Sequence, residues 1–280
     1  MVLSYWYFLL FLISFFIFSF TLWKSKEKKR LIQTFFFISG LAYIMDFVVL
    51  VMLNAYQYHP NLVDPLWFDS TFGAIFSQGI AIPTAFMAIA GFNLGFIAII
   101  FIAIGFMGIE LLFLSLGAFE HHWWEAWYTG FLFVVGAYLT KVWHRFLQYP
   151  SMSVKFTTMY LTLIVYANTM RFFMVLLFAT HLYSVGWFSN PIRDHIAGNA
   201  FMLFVWMIPV TIVIVLYFRW HWIVSLLAFE WLLDYFLIKA GWLHLSAWWN
   251  VSYFVLILLG SLLLFRFIYV KWFFSERIKK

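Results

Sequence analysis

The sequence contains no cysteine and few charged residues, which make up only 10% of its 280 positions. The lack of cysteine excludes disulfides, thiol catalysis and cysteine-ligated metal. Soluble domains carry about a quarter charged residues, and a soluble fold of this size keeps much of its surface in water. Because 66% of this chain is hydrophobic, a water-soluble fold is excluded and a lipid-embedded protein is predicted.

Several functional signatures are also missing. The sequence has no phosphate-binding glycine-rich loop, no nucleophile elbow and no paired-histidine pattern of the kind that holds haem. ATP-driven chemistry within the chain is therefore not expected, and neither a cofactor nor a metal is predicted. The net charge of +6 does not indicate a nucleic-acid partner, because the basic residues lie at the ends of apolar runs.

Long apolar runs fill most of the chain. In lipid every backbone amide must be hydrogen-bonded within the protein, which leaves helices or a closed barrel. Uninterrupted runs of about 20 apolar residues favour helices, whereas barrel strands alternate over about ten residues. The predicted fold is therefore an all-α polytopic membrane protein with about nine transmembrane helices, at 3–23, 32–54, 71–90, 94–116, 127–146, 156–180, 199–218, 221–240 and 250–270.

The basic residues predict the orientation in the cell membrane. With the N-terminus outside and the C-terminus cytoplasmic, most of the 17 basic residues fall on the cytoplasmic side, as the positive-inside rule requires. These are Lys24, Lys26, Lys28, Lys29, Arg30, Lys141, Arg145, Lys155, Arg219, Arg266, Lys271, Arg277, Lys279 and Lys280. Acids contribute little to that rule, yet most of them, and most histidines, fall in the outer half. We therefore expect any functional site there.

Two parts of the chain resemble each other at an offset of about 125 residues, which indicates an internal repeat. The alternative is coincidence in a biased composition. Four helices per copy is an even number, so both copies would run in the same direction. The predicted organisation is a leading transmembrane helix and basic cytoplasmic loop at 1–30, a first four-helix repeat at 31–150, and a second repeat with a basic cytoplasmic tail at 151–280. Aligned pairs include Asp46 with Arg171, Asp69 with Asp194, Gly73 with Gly198, and Glu110 with Asp234.

One stretch also resembles a known group of proteins. It carries Tyr58-His59-Pro60-Asn61, Asp69-x3-Gly73, Pro83, Glu110-Leu111-Leu112-Phe113, Gly117 and His122-Trp123-Trp124-x2-Trp127-Tyr128-Thr129. These motifs, over residues 40–145, are similar to a family of small four-helix bacterial membrane proteins from Gram-positive spore formers. That family has no assigned function, so the resemblance implies a membrane fold and no catalytic residue.

Ionisable residues within the predicted spans are the first candidates for function. Each costs about 2.5–3.5 kcal/mol to insert, so each is a functional hypothesis by default. We assign Glu110, Glu230 and Asp234 as candidate catalytic acid/base groups, and Asp46 and Arg171 as candidate ligand-binding groups. Arg171 is expected to pair with one or more of the acids. The alternative is a buried ion network that only fixes the register of the helices.

Four further residues are candidates for ligand contact. Asp69 and Asp194 each precede a predicted span, where either a helix N-cap or ligand contact is expected. His122 and Trp124 lie in the segment 119–125. That segment could form part of a polar site or an aromatic belt at the membrane surface. His121 and Glu125 would share a helical face four residues apart, a spacing compatible with metal binding, but the two adjacent histidines would then point apart.

The sequence leaves three classes of function open. The favoured hypothesis is an outward-facing polar pocket that binds or modifies a lipid or isoprenoid. The alternatives are a transporter of small molecules or ions, and a sensor or scaffold that acts through a partner. Membrane lipid is the one partner that composition predicts directly. The sequence decides neither whether the protein is an enzyme nor its oligomeric state.

Overall fold

The computed structural model describes residues 3–274, and the described chain is almost entirely helical. Arg277, Lys279 and Lys280 of the predicted basic tail lie outside the described residues. Within the described part there are nine long helices: α1 (Ser4–Lys24), α2 (Lys28–Met52), α3 (Leu66–Gly91), α4 (Phe96–Ser115), α5 (Ala126–Phe146), α6 (Met152–Phe178), α7 (Pro191–Val215), α8 (Trp220–Lys239) and α9 (Val251–Phe273).

Eight of these helices are long and apolar enough to cross a membrane, which confirms an all-α polytopic membrane protein. The exception is α5, which carries Lys141, His144 and Arg145 near its end. Its position matches the predicted span at 127–146, but its crossing of the membrane stays a prediction. Several boundaries follow from local chemistry. For example, the side chain of Asn190 accepts hydrogen bonds from the backbone N–H groups of Ile192 and Arg193 and so caps α7.

The chain divides between Ser151 and Met152 into two compact units, here called unit 1 and unit 2. In unit 1, α3 packs against α1, α2 and α5. In unit 2, α7 packs against α6, α8 and α9. Each of these two helices is the most buried apolar helix of its own unit. Side chains near the start of α3 and of α7 therefore face protein rather than lipid.

A short two-stranded antiparallel sheet joins the loops at one end of each unit. In unit 1, β1 (Tyr56–Tyr58) pairs with β2 (Phe119–His121), with Tyr56 opposite His121. In unit 2, β3 (His181–Tyr183) pairs with β4 (Leu243–Leu245), with His181 opposite Leu245. We call this end of each unit its hairpin end. The pairing hydrogen-bonds backbone groups that would otherwise lack partners close to the membrane.

The opposite end of unit 1 carries basic side chains. Lys141 donates to the carbonyl of Leu94 at 2.6 Å, in the turn between α3 and α4. The guanidinium of Arg30 donates to the imidazole of buried His144 at 3.0 Å. Arg266 in unit 2 makes a similar contact, donating to the carbonyl of Ile214 at 2.7 Å. Cations at these positions bind carbonyls near helix ends, where the helix dipole favours positive charge.

Within α3, the helix widens before a proline. Residues Ile75–Ala81 form a π-helical segment directly ahead of Pro83. Proline has no backbone N–H to donate to the carbonyl four residues earlier, that of Gly79. The hydroxyl of Ser39 donates to this carbonyl instead, at 3.1 Å. A side chain on α2 thus satisfies the backbone group that Pro83 leaves open, and irregular backbone is tolerated inside the membrane.

Candidate functional site

Two carboxylates lie near the hairpin end of unit 1, on different helices. Asp46 on α2 is buried and accepts a hydrogen bond from the hydroxyl of Tyr56 at 2.6 Å. Glu110 on α4 has one oxygen 2.7 Å from Nε2 of His121. The hydroxyl of Thr129 lies beside the same carboxylate and accepts from the indole N–H of Trp124 at 2.9 Å. The strand pair β1–β2 therefore brings a polar partner to each acid.

An aromatic cavity of about 70 Å³ adjoins Glu110. This space can hold several water molecules or one small polar group. Its polar wall also includes Ser77 and Gln78 from the π-helical segment of α3. Four aliphatic residues and seven aromatic rings contribute the rest of the wall, and the rings are Tyr7, Tyr56, Tyr58, Phe106, Phe113, Phe119 and Trp124. We call this space the aromatic cavity.

The phenols of β1 are fixed as neutral groups. Burial raises the pKa of both Tyr56 and Tyr58 well above the usual value for tyrosine, and the negative charge of Asp46 adds to the effect. They therefore keep their protons at physiological pH, and Tyr56 donates its proton to the carboxylate of Asp46. Tyr7 on α1 donates its hydroxyl proton to the carbonyl of Ala118 at 2.5 Å. The leading helix is thereby attached to the loop that carries β2.

An open groove lies on the other side of His121. It is lined by His59, Glu120 and His121, together with Asn61, Leu114, Gly117 and Phe119. Glu120 is 57% exposed and stands 3.2 Å from His59 and 3.8 Å from His122. His121 thus borders the groove while its Nε2 contacts Glu110, which lines the aromatic cavity. Phe119 lines both spaces, and the imidazole of His121 connects the groove to Glu110.

Unit 2 contains an ion pair at its hairpin end, as the sequence predicted. The guanidinium of Arg171 on α6 lies 3.3 Å from the carboxylate of Glu230 on α8 and donates to the hydroxyl of Tyr183 at 3.0 Å. The ring of Phe254 lies beneath it, 4.6 Å away, a cation–π contact. Asp234 lies one turn beyond Glu230, and its Oδ2 is buried without a hydrogen-bond partner among the described residues. A cavity of about 40 Å³ lies against Arg171 and Glu230.

Two buried histidines accompany this ion pair. Nδ1 of His195 accepts from the backbone N–H of Tyr183 at 3.0 Å, and His181 lies 2.8 Å from the hydroxyl of Thr180. Burial lowers the pKa of His181 well below its usual value, and the guanidinium of Arg171 lowers it further. Burial raises the pKa of Tyr183 to about 12, against the opposing effect of Arg171. Both groups are neutral near pH 7, so Arg171 is the cation of this site.

The expectation that Asp69 and Asp194 cap their helices is wrong. The residues at the N-cap positions are Pro65 and Asn190. Asp69 lies inside α3 and accepts from the backbone N–H groups of the preceding loop at 61–63. Asp194 lies inside α7 and accepts from those at 185–188. Each carboxylate holds the loop that follows a hairpin strand, because consecutive loop N–H groups turn toward it.

The metal hypothesis for residues 119–125 loses its geometric basis. Phe119–His121 is a strand and α5 begins only at Ala126, so His121 and Glu125 do not share a helical face. Among residues 3–274, no group of three or more His, Cys, Asp or Glu side chains could hold a metal ion. His122 donates from Nδ1 to the carbonyl of Asn54 at 2.8 Å. Trp124 lines the aromatic cavity.

The sequence indicated the buried acids as candidates but not the tyrosines beside them, Tyr56 next to Asp46 and Tyr183 next to Arg171. Within unit 1 the structure brings Asp46, Glu110 and Trp124 to the same hairpin, whereas His122, at the end of that hairpin, does not line the aromatic cavity. Within unit 2 it brings Arg171, Glu230 and Asp234 together. A Tyr-x-Tyr pattern at 56–58 places both rings on one face of a strand, and Tyr183 lies 125 residues after Tyr58. This alternation was the available signal, but strands were not expected among the helices.

Comparison with known proteins adds no family. No family model, no curated protein and no solved structure matches this chain. The resemblance of residues 40–145 to small bacterial membrane proteins therefore stays a prediction. What the site can do is argued from its residues.

Proposed function

We propose that this multi-pass protein binds a lipid or isoprenoid whose polar end enters the aromatic cavity of unit 1 and contacts Glu110. The supporting observation is an acid without a fixed cation. Among the described residues, no Lys or Arg nitrogen lies within 4.0 Å of Glu110 or Asp46, and His121 is the one basic group in contact with Glu110. A carboxylate in an apolar setting is costly unless a partner compensates it.

The lining of the cavity favours a membrane-soluble ligand. Ligand pockets typically combine apolar walls with a few placed polar groups that fix orientation. Here seven aromatic rings surround one carboxylate and a few neutral polar groups. The cavity is small, so it suits a headgroup or the functional end of a chain whose remainder stays in lipid. Glu110 and His121 would also serve as acid and base if the ligand is modified.

Extracted lipids test this proposal directly. The protein is purified in a mild detergent, and the molecules that co-purify are identified by mass spectrometry. Glu110→Gln should lose the specific ligand while the protein stays folded. The matched control is Glu120→Gln, because Glu120 is also an acid at the hairpin end but is 57% exposed, against 9% for Glu110. Equal ligand content in wild type, Glu110→Gln and Glu120→Gln would refute the proposal.

The proposal includes the orientation inferred from charge, with the hairpin ends outside the cell membrane. Because the chain has no cysteine of its own, a thiol reagent can label this protein only at a single introduced cysteine. Exposed positions at the hairpin ends are Leu62 and Ser189, and Lys26 provides the opposite control. An impermeant thiol reagent applied to whole cells should label cysteines at 62 and 189 but not at 26. The reverse pattern would invert the orientation.

The proposal also includes an internal duplication. Supporting it, Tyr56–Tyr58 and His181–Tyr183 pair with their partner strands in the same antiparallel arrangement. Asp69 and Asp194 hold the loops after these strands in the same way. Gly117 and Gly241, just before β2 and β4, adopt positive φ angles of 71° and 74°. A left-handed conformation favours glycine at both positions.

A further inference from the structure

We propose that the aromatic cavity of unit 1 takes the ammonium head of a cationic amphiphile, and that binding releases a proton from the Glu110–His121 pair into the open groove. This inference rests on the proposed function and names its ligand class and its coupling. It follows from three features of unit 1: the composition of the cavity wall, the short contact between the pair, and the position of His121 between the open groove and Glu110.

The wall of the cavity is suited to a cation. The faces of aromatic rings carry partial negative charge, and cages of such rings bind quaternary ammonium groups. Tyr56, Tyr58 and Trp124 surround the space in which Glu110 supplies a full acid. No Lys or Arg of the described residues occupies that place. An anionic head would face the rings and Glu110 without a compensating charge, so it is disfavoured.

The Glu110–His121 contact provides the proton. Oε1 of Glu110 and Nε2 of His121 lie 2.7 Å apart, so one proton lies between them. In the proposed ligand-free state Nδ1 of His121 carries a second proton, so the pair as a whole has no net charge. When an ammonium head lies against Glu110, the ligand supplies the positive charge and the shared proton is released. The step balances: one ligand cation enters, Glu110 is left as carboxylate, His121 is left neutral, and one proton goes to water.

His121 provides the route for that proton. Its ring lines the open groove with His59 and Glu120, while its Nε2 contacts Glu110. Pairing of Tyr56 with His121 in the β1–β2 sheet fixes this position. The other titratable groups around the pair are Tyr56 and Tyr58 on β1, Glu120 and His122 beside His121, His59 in the loop after β1, and Asp46 behind Tyr56. Because burial raises the pKa of Tyr56 and Tyr58, these phenols do not release protons near pH 7.

Unit 2 lacks this arrangement. Its hairpin places Leu245 opposite His181, where unit 1 has His121 opposite Tyr56. Arg171 already provides a cation for Glu230. The proton-coupled site is therefore specific to unit 1.

The test measures binding and proton release together. The full-length protein in a non-ionic maltoside detergent is titrated with hexadecyltrimethylammonium, and with hexadecanol as the uncharged chain of equal length. Calorimetry in two buffers of different ionisation enthalpy gives the protons released per ligand bound. For wild type we expect about one proton released, and an affinity that rises about tenfold per pH unit while the pair carries its proton. Glu110→Gln should weaken ammonium binding about 30-fold or more.

The variants separate the two parts of the inference. His121→Gln should change the number of protons released and the pH profile of affinity, whereas His122→Gln, the adjacent control, should leave both as in wild type. If wild type binds the ammonium without releasing a proton, or if His121→Gln keeps the wild-type profile, the coupling is wrong. If hexadecanol binds more tightly than the ammonium and its binding still depends on Glu110, the ligand is not cationic, but the proposed function stands. If Glu110→Gln changes neither ligand's binding, the proposed function itself fails.

Discussion

Units 1 and 2 place ionisable groups at corresponding positions of their hairpin ends but complete them differently. In unit 2, Arg171 pairs with Glu230, bonds Tyr183 and stacks on Phe254. In unit 1, the position that aligns with Arg171 is an acid, Asp46, bonded only to a neutral phenol. The comparison indicates that Arg171 compensates buried acid in unit 2, whereas among the described residues of unit 1 neither Asp46 nor Glu110 pairs with a Lys or Arg.

The largest expected effect is in unit 2. Arg171→Met leaves Glu230 and Asp234 buried without a counterion, which should lower the free energy of unfolding by about 3–5 kcal/mol. Thermal or SDS unfolding in detergent measures the change. Arg219→Met, which removes an exposed arginine of the same unit, is the control and should have little effect. The double variant Arg171→Met with Glu230→Gln should regain part of the loss. If Arg171→Met is as stable as wild type, the charge in unit 2 is not structural.

The next largest effect on stability is expected where α3 approaches β1 closely, at Gly73. A Cβ at Gly73 would lie 2.5 Å from Cβ of Tyr58, an atom fixed to the backbone of β1. At Gly198 the nearest atom would be a terminal methyl of Val185, at 2.6 Å, which can rotate away. Gly73→Ala should therefore cost about 1–3 kcal/mol of unfolding free energy, and Gly198→Ala less.

The same unfolding assay has a matched control in Gly105→Ala. A Cβ at Gly105 would meet no atom within 4 Å. This change should be neutral or slightly stabilising, because alanine favours helix over glycine. A larger loss for Gly198→Ala than for Gly73→Ala would contradict the comparison.

The two carboxylates that hold the loops, Asp69 and Asp194, should differ modestly in their contribution to the free energy of unfolding. Asp194 accepts from four backbone N–H groups and Asp69 from three. Asn at either position replaces one accepting oxygen with a donor, which should cost about 1–3 kcal/mol, with Asp194→Asn the more severe. Hydrogen exchange of the amides at 185–188 and 61–63 reports each loop separately. Unchanged protection in both loops would show that these carboxylates do not hold them.

The smallest effect is a pH dependence specific to unit 2. The pKa of His181 is lowered in the folded protein, so the unfolded chain binds a proton that the folded one excludes. The stability contributed by neutral His181 is present above the unfolded pKa of about 6.5 and is lost as pH falls below it, by at most about 1.4 kcal/mol per pH unit. Below pH 6.5, the unfolding free energy of His181→Gln should depend less on pH than that of wild type. His122→Gln, at an exposed site, should keep the wild-type dependence. Parallel pH curves for wild type and His181→Gln would exclude this role.

Much of the fold follows from hydropathy, and less of the site does. Apolar runs of membrane length predicted all nine helices, because the bilayer sets both their length and composition. Most ends lie within about five residues of the prediction, but α7 begins at Pro191 instead of 199. The pairing of Arg171 with an acid was also predictable, since an unpaired guanidinium in lipid is costly. Its choice of Glu230 was not, because that depends on how α6 and α8 pack.

The hairpins were the main omission. Three-residue strands are too short to give a periodic signal, and they were hidden between long helices. Without them, His121 lies in a segment of unassigned structure between two predicted helices, and its contact with Glu110 cannot be inferred. The capping hypothesis for Asp69 and Asp194 failed for a related reason. Helix starts were placed by hydropathy several residues late, whereas Leu66 and Pro191 begin the helices earlier.

The bond between Tyr7 and Ala118 has a consequence for synthesis on the ribosome. Its partners are 111 residues apart, and β1 likewise finds its partner strand only beyond α4. While the first three helices enter the membrane, α1 can already pack against α3, but the hydroxyl of Tyr7 and the edge of β1 have no native partner. The hairpin end of unit 1 therefore closes late, when the segment after α4 emerges. A ribosome stalled before Gly117 would hold an open set of helices, available to chaperones and to membrane proteases.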